Sequence, residues 1–198
     1  MRSFLTAPDM FIVIIPKNSR LECCRQIGQE IADKNDSKLI ELRGEDIPFF
    51  CNELINQGKN AIGIIPEDLF EEFRIGNPRN NLSIFKRVIW NEGIFGKPTL
   101  CLLGPESKNL EKGDYKVVID SKYKKISKCY LNRLEKQGYS FQKIYVRGSC
   151  EEMFLNGMCD LIIDIVLTGN SAKKAGLAVY DKIFSSDIAL IGGKNENL

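Results

Sequence analysis

An α/β fold with largely parallel sheets is predicted for this chain of 198 residues, and three observations predict it. Short β-like runs alternate with helical patterns along the whole length. The strand-like runs are continuously apolar, as in Phe11-Ile12-Val13-Ile14-Ile15, which suits strands covered on both faces. Hydrophobic residues make up 43% and charged residues 27%, enough at this length to bury a core without disulfide or metal staples.

The elements follow in order. After the strand at 11–15, Ser19 to Asp33 reads as a helix because Leu21, Cys24, Ile27 and Ile31 share one face, with Asn18 or Ser19 as its N-cap. A strand at Leu39 to Leu42 leads to a helix over Ile47 to Gln57, with Asp46 in the capping position. Ala61 to Ile65 is a strand, Glu67 to Phe73 a helix, and Val88 to Trp90 a strand. Strands are then expected at Thr99 to Leu103, Tyr115 to Ile119, Phe141 to Val146, Leu161 to Val166 and Ala189 to Ile191. Helices are expected at Ser121 to Gln137, Cys150 to Asn156 and Ser171 to Ala175. Loops rich in breakers and charge occupy 76–81 and 104–114.

No proline follows Pro105, whereas all seven occur up to that point, a compositional change near residue 100. The simplest division is a first module over 1–97, joined by about 184–198 as the last strand returns, and a second module over 98–183.

Composition also excludes. With 28 basic and 26 acidic residues the net charge is +2, so no global field marks a nucleic-acid binder. The longest apolar runs are strand-sized and far too short for a bilayer. Met1-Arg2-Ser3-Phe4 lacks the sustained apolar run of a signal peptide, so a cytoplasmic location is expected. The seven cysteines, at 23, 24, 51, 101, 129, 150 and 159, show no paired spacing and are expected to be reduced and structural. Histidine is absent, which removes histidine relays and mixed Cys/His zinc sites. Chemistry driven by positioning and electrostatics suits such a chain.

The most informative segment runs from Asp160 to Ala172. An apolar strand containing Asp164 ends in the polar turn Thr168-Gly169-Asn170-Ser171, and a short helix begins. Free backbone N–H groups and hydroxyls at such a turn suit a phosphate, and Asp164 could accept from sugar hydroxyls. Ser, Thr and Asn also favour plain strand-to-helix turns, so the same residues fit a capped turn without ligand. Glu151 is equally suited to a sugar contact or to the first turn of the Cys150 helix. The segment 121–140 holds six basic residues against one acid, with Tyr123 and Tyr130 interleaved. An amphipathic helix burying Tyr123, Ile126, Tyr130 and Leu134 accounts for it, with no nucleic acid required.

Glu151, Gly157, the apolar strand, Asp164 and Thr168-Gly169-x-Ser171 together resemble the signature of the ATP phosphoribosyltransferases. Gly148-Ser149, Ala175-Gly176-Leu177 and Ser185-Ser186 extend the resemblance. Upstream, Pro16-Lys17-Asn18-Ser19-Arg20-Leu21 is similar to the family's Pro-Lys-Gly-Arg-Leu opening with one residue inserted. Arg43-Gly44-Glu45-Asp46-Ile47-Pro48 resembles its Arg-x-x-Asp-Ile-Pro motif, and 95–97 and 119–123 match weaker landmarks. The matches run in order from about 11 to 192. Departures fall at Asn18 and Ser19 for glycine, Asn60 for an acid, Pro66 for glycine, Cys159 for a smaller residue, Ser171 for Thr, and Ala172 for Leu or Met.

The resemblance implies two α/β lobes like those of type II periplasmic binding proteins, with ligands in the cleft between them. It implies transfer of a phosphoribosyl group from 5-phosphoribosyl 1-pyrophosphate to N1 of ATP, releasing pyrophosphate, with Mg²⁺ required, as the first step of histidine biosynthesis. Under it, Thr168, Gly169, Asn170 and Ser171 hold the 5′-phosphate, and Asp164 and Glu151 the ribose hydroxyls. Lys17, Arg20 and Arg43 are its candidates for the charge of ATP or pyrophosphate. Longer relatives append a regulatory domain, whereas this chain ends seven residues after Ile191 in what reads as a frayed tail. The expectation is therefore the short form, oligomeric and working with a regulatory subunit similar to histidyl-tRNA synthetase. The departures motivate an alternative, a catalytically weakened binding module on the same scaffold.

Overall fold

A computed structural model describes residues 11–194. Expectations that fall on residues 1–4, on the Arg20 side chain and on tail residues 195–198 lie outside the described residues. The described residues form two compact units, one comprising 11–89 with 188–194 and the other 90–187.

In the first unit, strands β1 (Ile12–Pro16), β2 (Lys38–Leu42), β3 (Ala61–Pro66), β4 (Leu82–Val88) and β10 (Ile188–Gly193) form one sheet in the order β2-β1-β3-β10-β4. The first three are mutually parallel, and β10 runs antiparallel to β3 and β4. Helices α1 (Glu22–Lys34), α2 (Ile47–Asn56) and α3 (Glu67–Gly76) complete the unit. A Cβ at Gly28 of α1 would collide with Ile15, whereas one at Gly63 of β3 would come within 2.7 Å of Ile47 in α2. Ile64 lies on the α1 side, so successive residues of β3 put α1 and α2 on opposite faces of the sheet. Double coverage explains why β1 and β3 are buried at every residue and read as unbroken apolar runs.

In the second unit, β5 (Thr99–Pro105), β6 (Asp114–Asp120), β7 (Ser140–Val146), β8 (Leu161–Val166) and β9 (Leu177–Ser185) form a sheet in the order β7-β6-β8-β5-β9. Again three strands are parallel, here β7, β6 and β8, and β5 runs antiparallel to both of its neighbours. Helices α4 (Lys124–Glu135), α5 (Cys150–Leu155) and α6 (Asn170–Lys174) join them. Cys101, Val118, Cys150, Ile162, Val166 and Ala172 share one apolar cluster that ties α5 and α6 to the sheet. In α4, Ile126, Tyr130, Leu131 and Leu134 are buried while Lys124 and Lys128 face water, the amphipathic arrangement expected for this segment.

Four corrections follow. The sheets are mixed rather than largely parallel, because β5 and β10 each run against their neighbours. The strand expected at 88–90 occupies 82–88, and β9 has no counterpart in the sequence reading. Helix α1 starts at Glu22 after a 3-10 turn at Ser19–Leu21, with Leu21 rather than Asn18 or Ser19 in the N-cap position. Gly192 and Gly193, expected to fray, are buried in β10 opposite Ser83 and Leu82. All seven cysteines are free thiols, five of them buried.

Candidate functional site

Parallel strands bring their carboxyl ends to one edge, and the segments that leave those ends are where α/β sheets place ligands. In the second unit that edge collects the ends of β6, β7 and β8. Asp120, the last residue of β6, is buried and accepts from the Lys122 N–H at 3.0 Å through Oδ1. After β7 the chain turns through Gly148 at φ +80° and Ser149 at φ +59° before α5 begins. A non-glycine residue with positive φ is strained, and such positions cluster at functional turns. Glu151 lies in the first turn of α5.

Past β8 comes the turn singled out by sequence. Gly169 has φ +71° and occupies the N-cap of α6, a position that costs a side-chain-bearing residue backbone strain. The N–H groups of the first helical turn have no intrahelical acceptor, and only a long 3.4 Å contact runs from Asn170 N–H to Thr168 Oγ1. Thr168, Asn170 and Ser171 are exposed. The turn therefore offers backbone donors and two hydroxyls to solvent at one point, a suitable bed for an anion.

Asp164 is mostly buried within β8, opposite Cys101 of β5, and its Oδ1 accepts from the Ile165 N–H at 2.7 Å. Burial pushes its carboxyl up to about 6 from the ordinary 3.8, and the nearby Glu151 and Asp120 charges add to the rise. The Ile165 N–H and the Lys122 charge oppose it. The same three carboxylates, with burial as the larger cause, raise the Cys150 thiol far above its usual range, so Cys150 is an inert core residue. Thus Asp164, Glu151 and the 168–171 turn lie toward one edge of one sheet.

The first unit uses its equivalent edge differently. Lys17 and Arg43 directly follow β1 and β2, whose last residues Pro16 and Leu42 are register partners. The Lys17 N–H donates to Leu42 O at 2.7 Å, which holds the two exits together. Both side chains are exposed, and among the described residues neither forms an ion pair. Arg20 falls in the 3-10 turn just beyond, its backbone on the same exit. Asp46 does occupy the N-cap position of α2, without a side-chain capping bond.

Of the departures, Asn60 lies at the opposite end of its sheet, where its carbonyl accepts from the Ile12 N–H at 3.0 Å. Ala172 is buried in the apolar cluster. Pro66 ends β3 with φ −58° and leads straight into α3, a geometry proline prefers. Sequence reasoning overlooked Asp120 and the Gly148-Ser149 turn as site residues. Their position at the end of, or just beyond, a strand of the parallel trio is the signal that finds them.

Residues 43–197 match the family model described as ATP phosphoribosyltransferase (HisG). Among curated relatives, an ATP phosphoribosyltransferase of Clostridium kluyveri is 27% identical over 179 residues, covering 80% of this chain and 78% of that protein. One of Candida albicans is 28% identical and covers 94% of this chain and 64% of its own. Among solved structures, the ATP phosphoribosyl transferase (HisG:HisZ) complex from Thermotoga maritima superposes with a TM-score of 0.71 at 21% identity, covering 93% and 88% of the two chains. The periplasmic aliphatic sulphonate binding protein SsuA of Escherichia coli shares the fold with a TM-score of 0.59 at 13% identity, over 95% and 62%. The two-lobed α/β architecture is thus that of both protein groups.

Proposed function

Since the chain belongs to the ATP phosphoribosyltransferase family of enzymes, we propose that it joins N1 of ATP to 5-phosphoribosyl 1-pyrophosphate in the first step of histidine biosynthesis. The observation that carries this reading is the 168–171 turn, open to solvent and led by a positive-φ glycine, at the end of the strand that holds Asp164.

The N1 lone pair of adenine forms the bond to the anomeric carbon. The bond from that carbon to the pyrophosphate oxygen breaks, and its electron pair leaves with pyrophosphate. Adenine is itself the nucleophile, so no histidine base is required, and the chain has none. What remains is alignment, stabilisation of a positively charged sugar and neutralisation of the leaving group. The 5′-phosphate is held by the backbone of Gly169, Asn170 and Ser171 and by the Thr168 and Ser171 hydroxyls. Asp164 and Glu151 accept from the ribose hydroxyls, and their charge suits a sugar that becomes cationic. Lys17, Arg20 and Arg43 are the residues assigned to the phosphate charge of ATP or pyrophosphate, which ammonium and guanidinium groups neutralise.

Among the described residues no group of three or more carboxylates or thiols stands where it could cage a metal ion. Mg²⁺ binds through substrate phosphates, waters and one or two carboxylates, and Asp164 and Glu151 would be the carboxylates to hold it here. When bound, the ion neutralises charge on the departing pyrophosphate. The Thermotoga relative was solved in a HisG:HisZ complex, which supports oligomeric work with a histidyl-tRNA synthetase-like regulatory subunit. A cytoplasmic location fits this reading, since seven free thiols suit a reducing compartment. Among the described residues no helix is long and apolar enough to cross a membrane.

The test is incubation with ATP, phosphoribosyl pyrophosphate and Mg²⁺, with and without such a subunit, and mass-spectrometric detection of phosphoribosyl-ATP. Product in either condition is expected. Tight binding of both ligands without product in both conditions would replace this reading with the binding-module alternative.

A further inference from the structure

Residues 90–97 carry no helix or strand, yet they are closely tied down. Both ends meet one carboxylate. The Trp90 N–H donates to Asp187 Oδ1 at 3.2 Å, and Lys97 Nζ donates to Asp187 Oδ2 at 2.7 Å. Closed at its ends, the segment presses its middle against the 168–171 turn. The Ile94 N–H donates to Leu167 O at 2.9 Å, the residue directly before Thr168. Gly93, at φ +90°, lies so close that a Cβ there would come within 2.7 Å of Leu167 O and 3.0 Å of Leu167 Cδ1. Ile94 Cδ1 would stand 3.1 Å from a Cβ on Gly169, although Ile94 itself is 57% exposed. Phe95 packs on the cluster that includes Val166 and Ala172, residues flanking the turn on either side. Lys182 Nζ sits 3.8 Å from the centre of the Phe95 ring and holds its outer face.

We propose that 90–97 is a strap that sets the shape of the phosphate-binding turn, with Gly93, Ile94 and Asp187 as positioning residues for the sugar-phosphate. The inference rests on the reading of 168–171 as that turn. A turn of exposed polar residues with one glycine has few contacts of its own to define it. The strap supplies them: a hydrogen bond to the residue before it, an apolar side chain over its glycine, and packing beneath its helix. Backbone donors must converge to within a few tenths of an ångström to bind an oxyanion well. Displacing Leu167 therefore reduces affinity without any change in the ligand-touching residues.

Two glycines in the strap make the test selective. Gly93 and Gly96 both have positive φ, +90° and +78°, so alanine strains the backbone at each. Only at Gly93 would the new Cβ strike Leu167, because nothing lies within 4 Å of a Cβ at Gly96. Binding of phosphoribosyl pyrophosphate and of ATP is measured separately by calorimetry on the full chain, for wild type, Gly93→Ala, Gly96→Ala and Asp187→Asn. Thermal melts confirm folding. Gly93→Ala is expected to weaken phosphoribosyl pyrophosphate at least about tenfold and ATP less than about twofold, with Gly96→Ala within about threefold of wild type. Asp187→Asn, which keeps an acceptor for Trp90 but loses the charge that holds Lys97, is expected to fall between them. Trp90, the chain's single tryptophan and a buried one, should change its emission on adding phosphoribosyl pyrophosphate, and less so in Gly93→Ala. Equal losses in Gly93→Ala and Gly96→Ala, or undiminished affinity in a folded Gly93→Ala, overturn the strap. If Gly93→Ala does not fold, the Asp187→Asn result decides alone, and wild-type affinity there overturns it. Failure of wild type to bind phosphoribosyl pyrophosphate at all overturns the reading of the turn, and the strap with it.

Discussion

The two units are built on one plan. Each sheet has three parallel strands, then one antiparallel strand, then an edge strand antiparallel to that: β2-β1-β3-β10-β4 and β7-β6-β8-β5-β9. Corresponding strand ends carry opposite chemistry. Where β1 and β2 end, the first unit presents Lys17 and Arg43, long exposed cations on short exits. Where β6, β7 and β8 end, the second presents Asp120, Asp164 and Glu151 around positive-φ turns at Gly148, Ser149 and Gly169. One plan thus yields two kinds of recognition. On the proposed assignment, exposed side-chain charge would answer a flexible polyphosphate, whereas backbone donors would answer a single phosphate at a defined distance from a sugar.

The largest effect should come from the fixed site. Gly169→Val puts a β-branched residue at φ +71° and pushes its Cβ to about 3.1 Å from Ile94. The turn must rearrange, and phosphoribosyl pyrophosphate affinity should fall at least about a hundredfold, since several hydrogen bonds are lost together. ATP affinity should stay within about twofold, because strain of one or two kcal/mol is confined to one turn of the other unit. Calorimetry with each ligand decides it. Equal losses would show that the two edges do not divide the substrates.

Next is Asp164→Asn, where function and stability should move in opposite directions. With its carboxyl held near 6 rather than 3.8, the folded state binds this proton more tightly than the unfolded chain does. The contribution to stability is then full below pH 4 and is lost as pH rises through 6. At pH 7 and above the ionised group destabilises the fold by up to about 3 kcal/mol, from roughly two pH units at 1.36 each. Asn keeps an oxygen for the Ile165 N–H and removes the charge. The variant should therefore melt higher than wild type at pH 7.5, with the difference vanishing near pH 4. Turnover should drop about tenfold for lack of a charged acceptor for the ribose. In wild type, phosphoribosyl pyrophosphate affinity should rise from pH 5 to 7, and the variant should show a smaller rise, left by the ligand's own phosphates, which titrate at about 6. A lower melting point at pH 7.5 would mean that Asp164 is a structural anchor.

Much of this plan was legible in the sequence, for physical reasons. β1, β3, β6 and β8 are central strands with both faces covered, and their apolar runs stand out. The edge strands β4 and β9 were misplaced or missed because one margin of each meets solvent. Lys86 and Arg87 interrupt β4, and Asp181 and Lys182 interrupt β9. β9 also shifts register twice against β5, so no regular alternation marks it. The direction of β5 and β10 depends on pairings between residues far apart in sequence, which local pattern does not carry. At the site, the Thr168–Ser171 turn was visible because its glycine and hydroxyls are contiguous. Gly93 and Asp187 were not, being brought into the site through Leu167, Trp90 and Lys97 in three dimensions.

A smaller effect is expected from the cationic edge of the first unit. Arg43→Ala removes an exposed guanidinium from the exit of β2 while leaving its backbone, including the carbonyl that accepts from Asp46 N–H at 3.0 Å. ATP affinity should weaken about five- to tenfold, the size of one charge-assisted contact, with the melting point unchanged. The loss should shrink in high salt, as screening of an exposed charge requires. Salt-independent loss would indicate that Arg43 acts through the fold.

The smallest effect is expected at Asn60, the position where the family's usual acid is absent. Asn60 precedes β3 at the edge opposite the strand exits, and its backbone carbonyl, not its side chain, makes the bond to Ile12. The strand that follows is six residues long, so at about 3.3 Å per residue it separates Asn60 from the exit by roughly 20 Å. Two charges that far apart across solvent are screened over a Debye length of about 8 Å. Restoring the acid with Asn60→Asp should therefore change ATP and phosphoribosyl pyrophosphate affinities by less than about twofold, and stability by under about 0.5 kcal/mol as for other exposed substitutions. The exit at Pro66 belongs to the same strand, and Pro66→Gly is the informative contrast. It frees the backbone directly before α3, at the edge where Lys17 and Arg43 emerge. If Asn60→Asp changed ligand affinity more than Pro66→Gly did, the assignment of binding to the carboxyl edge of the first sheet would be wrong.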